Sequence, residues 1–537
     1  MVPAGDRTSP AAPLRLAEVM AALSLATDLG MGQPLEFALR GCVLAVRLGE
    51  ALGLDEVALR EVYYQALLRY IGCNAETQWL ASIAGDELAL RAGIVGQDTA
   101  DQREALALLL RTIRATHAGA TPLELAGAVA RGLLGLPGLP VFFAGHCAVA
   151  ERLAERLGFE ARIRQALGQL YERWDGRGLP RGLRGEQVLP AVLIVALAQD
   201  AVVAHRLGGV AAAVAMVRRR RGGAYAPAHA DTFGRAAGRL LAGLNAEPSW
   251  ETVLALEPGP RAVLTGAQVD ACCAAMADFA DLKSPYLLGH STGVAALAAG
   301  AAARCGLPAA DVVALRRAGL LHDLGRVGVS AGVWGKPGPL TEREWERVRL
   351  HPYYTERVLA RAPALAPLGA LAAAHHERLD GSGYHRGLPA ALQPPAVRLL
   401  AAADVYQALT EVRPHRPAQP PAAAAATLRR EVRAGRLDGE AAEAVLAAAG
   451  HRVRPVRREA VAGLTAREVE VLRLIARGQT LRQVAARLAV SPKTADHHVQ
   501  HIYAKIGVST RAGAALFALE RGLLDETGEL AGEPAEE

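Results

Sequence analysis

Aromatic residues are scarce in this chain of 537 residues, only 4% of it. Strands are built largely from aromatic and β-branched side chains, so this poverty argues against a sheet protein. Ala, Leu, Val and Arg dominate instead, and Gly/Pro clusters punctuate long apolar-periodic stretches, a pattern that predicts an all-α protein. Cysteine is rare too. The six (Cys42, Cys73, Cys147, Cys272, Cys273, Cys305) include no CxxC pair and no regular framework, which excludes a disulfide scaffold and predicts reduced, packed thiols. No basic segment followed by an apolar one opens the chain, and the longest apolar run, "VLPAVLIVALA" (188–198), is about half the length of a membrane span. The expectation is therefore a cytoplasmic protein with no membrane contact. Sixty Lys and Arg against 54 Asp and Glu leave a net charge of +6, too small to establish a polyanion partner from bulk charge. Length predicts roughly two to four domains.

What the chain does contain is an internal repeat. "YERWDGRGLPRGL" (171–183) returns as "HERLDGSGYHRGL" (376–388), an offset of 205 that also lays His146 on His351. With one gap, Asp200 meets Asp404; upstream, "ALGLDEVALREVYYQALLRYIGC" (51–73) matches "RCGLPAADVVALRRAGLLHDLGRVG" (304–328). Two copies of one helical domain explain this, at about 14–245 and 270–450, with a linker at 246–269. Their polar residues differ. The second copy has His290, His322, Asp323, His351, His375, His376 and Asp404, where the first offers roughly Arg40, Arg69, Tyr70, His146, Leu170, Tyr171 and Asp200. Loop glycines serve backbone geometry and survive; histidines serve a ligand, and most are gone. Arg218–Arg221 reads as a solvated helix end.

Imidazoles and carboxylates together bind divalent transition metals, and one carboxylate can bridge two ions. The seven residues of the second copy sit in mostly apolar helical segments such as "VVALRRAGLLHDLG" and "LGALAAAHHERL", where isolated ionisable groups would be costly. A shared metal centre accounts for them together.

The order H, HD, H, HH, late D, carried by "GHSTGVAALA", "LLHDLGRVGVS", "HHERLDGSGYHRGL", "AAADVYQALT" and "RPHR", resembles the HD-GYP family of HD phosphohydrolases over about 284–450. The resemblance implies a metal-dependent phosphodiesterase opening cyclic di-GMP with two divalent ions, iron or manganese. His290, His322 and Asp404 would hold one ion and His351, His375 and His376 the other, with Asp323 bridging. Asp323 and Arg326 would be catalytic, Arg326 facing the phosphate. Gly381, Gly383, Tyr384, His385, Arg386 and Gly387 would form a loop closing on the nucleotide. Three positions depart from the family pattern: Arg326 stands where it has lysine, His385 where it has the proline of GYP, and Gln407 where it has an acid.

After "HRVRPVRREAVAG" (451–463), a basic stretch that reads as a linker, the segment 464–527 changes character. Thr465 and Glu468 form a capping box, Gly478 stops that helix, and Ser491 with Pro492 starts another on which Ala495, Val499, Ile502 and Ile506 share one face. The opposite face carries Lys493, Thr494, His497, Gln500, His501 and Lys505. Two short helices of this kind suit a major groove. "LTAREVEVLRLIARG", "VAARLAVSPKTADHHVQHIYAKIGV" and "RAGAALFALERGLL" resemble the LuxR-type helix-turn-helix domain. The resemblance implies double-stranded DNA binding, with Lys493, Thr494, His497, His498 and His501 in or near the groove, Lys505 and Arg511 on phosphates, and a homodimer through the last helix near 509–521. The expected whole is an enzyme-regulator acting on a cyclic dinucleotide; the alternative is a transcription factor whose helical halves only bind ligand or dimerise.

Overall fold

The computed structural model describes residues 13–98, 100–245, 249–452, 464–521 and 523–524. It is 67% helical, with no strand among the described residues, as the composition predicts. Two compact units divide at Arg452 and Val453. The linker expected at 451–463 lies, but for its first two residues, outside the described residues.

Within the first unit the two sequence copies are not separate bodies. Met20, Leu44 and Tyr63 of the first copy and Met276, Phe279 and Val327 of the second belong to one apolar core. A fully buried ion pair crosses between the copies: Lys283 Nζ lies 2.8 Å from Glu87 Oε1 and also donates to Val327 O at 3.0 Å. Glu87 accepts two more hydrogen bonds from the second copy, from Ser330 Oγ at 2.6 Å and from the Ala331 amide at 2.8 Å. The stretch 246–269, expected to be a linker, carries the helix Ser249–Ala255 with Trp250 and Val253 buried. Glu257 just beyond it accepts from Tyr64 Oη at 2.9 Å and pairs with Arg15. A helix of seven residues between Pro- and Gly-containing flanks is too short for periodicity to reveal.

The repeat is visible atom by atom. In the second copy Asp281 accepts the Ser291 amide at 3.0 Å, just ahead of helix His290–Arg304; in the first, Asp28 accepts the Ala38 amide at 3.0 Å, ahead of helix Phe37–Ala51. Both helices follow a left-handed residue, Gly289 (φ 81°) and Glu36 (φ 71°). His290 therefore corresponds to Phe37, not Arg40. Ala- and Leu-rich helices carry no register mark, and the anchoring aspartates supply it. The glycine loops match as well: Glu172 accepts the Arg181 and Leu183 amides, and Glu377 accepts those of Arg386 and Leu388, all at 2.7–2.9 Å.

One large difference separates the copies. Arg69 and His146 are 77 residues apart whereas His322 and His351 are 29 apart, so the first copy holds an insertion of 48 residues. Helices Glu87–Ile94, Gln102–Thr116 and Pro122–Gly135 fall in this region and contribute to a second apolar cluster with Ile83, Leu109 and Phe142. Arg220, expected at a solvated helix end, is buried, donating to Asp200 at 2.8 Å and to Gly96 O at 2.7 Å. Run length also misjudged apolar character. Two helical stretches, Pro122–Arg156 and Pro190–Arg219, are long and apolar enough to cross a membrane by length and composition. The second is mostly buried, kinked at Gly208 and Gly209, and serves as a core helix; the first leaves Leu123, Leu134 and Val141 exposed.

The second unit packs helices Ala466–Ala476, Leu481–Arg487, Pro492–Ile506 and Arg511–Glu520 around Val471, Ile475, Val484, Ala495, Val499 and Ile502. Thr465 and Glu468 form the expected capping box, Ser491 caps the third helix by accepting the Thr494 amide at 3.0 Å, and Gly507 ends it at φ 70°.

Candidate metal centre

Seven side chains from separate helices and turns of the second copy converge on one buried hollow. His290 begins the helix His290–Arg304, His322 and Asp323 follow the helix Ala309–Leu321, His351 begins the helix His351–Leu359, His375 and His376 follow the helix Ala366–Ala372, and Asp404 lies within Pro395–Thr410. Four of these five positions lie at or just beyond helix ends, where the chain changes direction and can aim a side chain inward. Close packing of backbone makes this possible: a Cβ on Gly325 would collide with His351 O, so only glycine lets the HD turn approach the next helix.

His290, His322 and Asp404 form one group whose candidate ligand atoms all lie within 4.8 Å of one another; His351, His375 and His376 form another, and His322, Asp323 and His375 a third. Asp323 lies between the first two. Its Oδ2 is 3.0 Å from His322 Nε2 and 3.5 Å from His290 Nε2, while its Oδ1 is 3.4 Å from His351 Nε2 and 3.5 Å from His375 Nε2. His290 Nε2 is also 3.3 Å from Asp404 Oδ1.

The far ring nitrogens are fixed. His322, His351 and His375 donate Nδ1–H to the carbonyls of Gly319, Val348 and Ala372 at 2.7, 2.6 and 2.7 Å. This tautomer leaves each Nε2 lone pair facing the hollow. His290 has a carboxylate behind it, Glu411 Oε2 at 2.9 Å from Nδ1, and Glu411 is held by Gln407 at 2.8 Å and Arg413 at 2.7 Å. Sequence reasoning gave Glu411 no role; an acid near the end of the helix that bears Asp404 was the available signal.

Burial pulls His375 down to about 4 and lowers His351 and His376, so these imidazoles are neutral. Burial pushes the Asp323 and Asp404 carboxyls up, but Arg326 and His322 around the first, and His290 and His376 around the second, hold both well below the usual range. For His290 burial works against the proton, yet the flanking carboxylates of Asp404 and Glu411 push its pKa up to about 9. The neutral imidazoles of His351, His375 and His376 beside ionised carboxylates, with His290 exchanging its proton for a cation, make the donor set that divalent first-row metals prefer. His290 Nε2, His322 Nε2, both Asp323 oxygens and Asp404 Oδ1 are buried and crowd one another without making a hydrogen bond of good geometry. Such groups are costly unless a ligand satisfies them, so these residues fit a pair of cations.

Arg326 lies against this centre, its Nε 2.9 Å from Asp323 Oδ2 and its guanidinium 5.0 Å from the Trp334 ring centroid. Trp334 in turn donates Nε1–H to Arg326 O at 3.3 Å. In the expected substrate loop Gly381 and Gly387 take φ values of 77° and 62°, and a Cβ on Gly383 would meet the backbone of Glu377 and Arg378. Tyr384 stacks on His376 with centroids 4.6 Å apart, and His385 and Arg386 both face Glu356.

In the second unit Lys493, Thr494, His497 and His501 share the exposed side of helix Pro492–Ile506, opposite the buried Ala495, Val499 and Ile502. His498 is half-buried. Two expected phosphate contacts are engaged inside the unit. Lys505 Nζ donates to both oxygens of Glu468 at 2.7 and 2.9 Å, and Arg511 donates to Ile475 O at 2.8 Å and to Gln479 O, satisfying carbonyls at the end of the first helix. Glu468, whose acid the capping box already required, explains why that lysine turns inward.

Residues 274–441 match the family model of the HD domain, and residues 462–518 that of bacterial regulatory proteins of the luxR family. A 3′3′-cGAMP-specific phosphodiesterase 3 of Vibrio cholerae is 30% identical over 422 residues, 75% of this chain and 88% of that protein. A cyclic di-GMP phosphodiesterase of Pseudomonas aeruginosa is 38% identical over 132 residues, 24% of this chain and 32% of that one. The crystal structure of a cyclic GMP-AMP specific phosphodiesterase of V. cholerae superposes with a TM-score of 0.56 at 27% identity, covering 82% of this chain and 99% of its own. With the seven-residue centre and these likenesses together, the chain belongs to the HD-GYP family of phosphodiesterases and carries a luxR-type helix-turn-helix domain at its C-terminal end.

Proposed function

We propose that this protein hydrolyses a 3′,3′-cyclic dinucleotide in the cytoplasm, cyclic GMP-AMP ahead of cyclic di-GMP, and that this activity sets DNA binding by its C-terminal domain. The observation that carries the reading is the division of Asp323 between two histidine groups. The preference for cyclic GMP-AMP rests on the relative that matches across both copies rather than the second alone.

His290, His322 and Asp404 would hold one divalent cation and His351, His375 and His376 another, with Asp323 bridging. Iron or manganese there would supply Lewis acidity for water activation and charge neutralisation at the phosphodiester. The protein's own work is positional. Backbone carbonyls and Glu411 keep the ring nitrogens aimed inward, and Arg326 offsets the Asp323 charge at the site edge where a phosphate would enter. Residues Gly381 to Gly387 would cover the nucleotide, with Tyr384 beside His376 offering a ring to a base.

On the DNA side, Lys493, Thr494, His497 and His501 would enter the major groove, and a homodimer would form through helix Arg511–Glu520, whose Leu516 and Leu519 are exposed. The test is hydrolysis of cyclic GMP-AMP and cyclic di-GMP by the full chain loaded with manganese or iron, followed by chromatography. Opening of the first faster than the second, abolished in Asp323→Asn, is expected; inertness toward both would end the proposal.

A further inference from the structure

Where the second copy gathers histidines, the first encloses a cavity of about 230 Å³. Arg69, Tyr70, His146, Tyr171 and Asp200, at the places of His322, Asp323, His351, His376 and Asp404, line it. The same cavity is lined by the apolar cluster of Leu80, Ile83, Leu108, Leu109 and Phe142, which meets the polar residues where Phe142 packs on His146 with ring centroids 4.1 Å apart. The insertion of helices described above contributes much of this lining.

The polar lining no longer suits a metal. His146 has both ring nitrogens engaged, Nδ1 with Tyr171 Oη at 3.1 Å and Nε2 with Ala75 O at 3.1 Å. Asp200 is taken by Arg220 at 2.8 Å and by Tyr225 Oη at 2.5 Å. Among the cavity's other charges, Arg173 is paired with Asp98 at 2.7 Å, Glu172 holds two loop amides, and Arg91 donates to the carbonyls of Gly30 and Cys73. Arg91 and Arg220 leave only Nε unpartnered, whereas Arg69, its guanidinium 5.9 Å from the Tyr70 ring centroid, has no such carboxylate or carbonyl partner. Its Nε and Nη1 are buried and have no hydrogen-bond partner. Where the second copy has His322, the first has a fixed cation with unsatisfied donors in a cavity with an apolar wall.

We propose that this cavity binds a small amphipathic organic anion, its head group on Arg69 and its apolar body in the inserted chamber. A cyclic dinucleotide is the wrong occupant: two phosphates and two bases need more polar partners and more room than a largely apolar space below the usual range of about 300–1,000 Å³ provides. A planar guanidinium receives a carboxylate or a phosphate monoester equally well, so the head group has two candidate chemistries.

Titration calorimetry on the full chain with decanoate and with decyl phosphate distinguishes them, with decanol and decyltrimethylammonium as controls. One saturable site per chain is expected for at least one anion, with binding at least tenfold weaker for both controls. Arg69→Gln removes the cation and Ala196→Leu fills space beside it; each should weaken the anion at least tenfold while circular dichroism and bound metal in the second copy stay at wild-type levels. Failure of both anions to bind, equal affinity for the decyl cation, or undiminished binding in whichever variant retains its fold would overturn the assignment.

Discussion

Asp323 turns Oδ1 toward His351 at 3.4 Å while its Oδ2 stays 3.0 Å from the adjacent His322, so one carboxylate ties the two histidine groups together. If the two groups hold a cation each, as proposed, replacing Asp323 should affect both at once. Asp323→Asn is expected to lower bound manganese or iron from two equivalents to one or fewer, with hydrolysis reduced roughly a hundredfold or more. Elemental analysis of the purified variant beside its turnover rate checks this; two retained equivalents would refute the bridging role.

Glu411 stands behind His290, on the ring nitrogen opposite the one that faces Asp323. Residues that orient a metal-binding histidine typically contribute about 10–100-fold in affinity. Glu411→Gln should therefore weaken metal binding by that order and leave saturated turnover closer to wild type than Asp323→Asn does. Metal titration of the stripped protein separates the two effects.

The pair of Glu87 and Lys283 has no exposure on either side chain. Removing one partner strands a buried charge, which costs about 3–5 kcal/mol, whereas replacing both with apolar residues of similar size is often nearly neutral. Lys283→Met should lower the urea midpoint sharply, and Lys283→Met with Glu87→Met should recover much of the loss. Equal midpoints for the single and double variants would show that the pair is not coupled.

Glu468 gives the second unit an acid-sensitive contact. Burial raises its carboxyl, but Lys505 and the Thr465 amide and hydroxyl outweigh that and hold it down at about 2, against an ordinary value of 4.5. A depressed carboxylate stabilises the folded state above its unfolded pKa, and that contribution is lost as pH falls through the window from about 4.5 to about 2. Hydrogen-exchange protection factors in residues 464–476, corrected for the intrinsic pH dependence of exchange, should fall as pH drops through this window in the wild type, with a flatter dependence in Glu468→Gln.

Lys493 and Lys505 lie on one helix, but Lys505 is paired with Glu468 while Lys493 stands exposed. Lys493→Ala should reduce the salt slope of duplex binding by about one unit. Lys505→Ala should instead destabilise the second unit and leave the slope of the folded fraction near its original value. Filter binding across a salt series distinguishes the pair.

The metal-site residues were legible because chemistry leaves its mark in residue type. Histidines and aspartates on apolar helices have few other uses, and a degraded twin in the same chain showed which positions were being compared. Packing was harder to read. Phe37 stands where His290 does, but its Ala- and Leu-rich helix can slide by a turn without changing its pattern, which is how Arg40 was matched instead. Arg220 looked like solvated charge and Lys505 like a free one because their partners, Asp200 and Glu468, are distant in sequence. The separation of the two copies failed for the same reason: Lys283 and Glu87 are individually unremarkable, and only folding brings them together.

That buried pair also bears on how such a chain can change over time. Once one duplicate has placed a carboxylate inside the other, deletion of either leaves its survivor with an unanswered charge at its centre. Divergence is then confined to substitution and insertion in place. An idle half would persist on this account even before it acquired any use of its own.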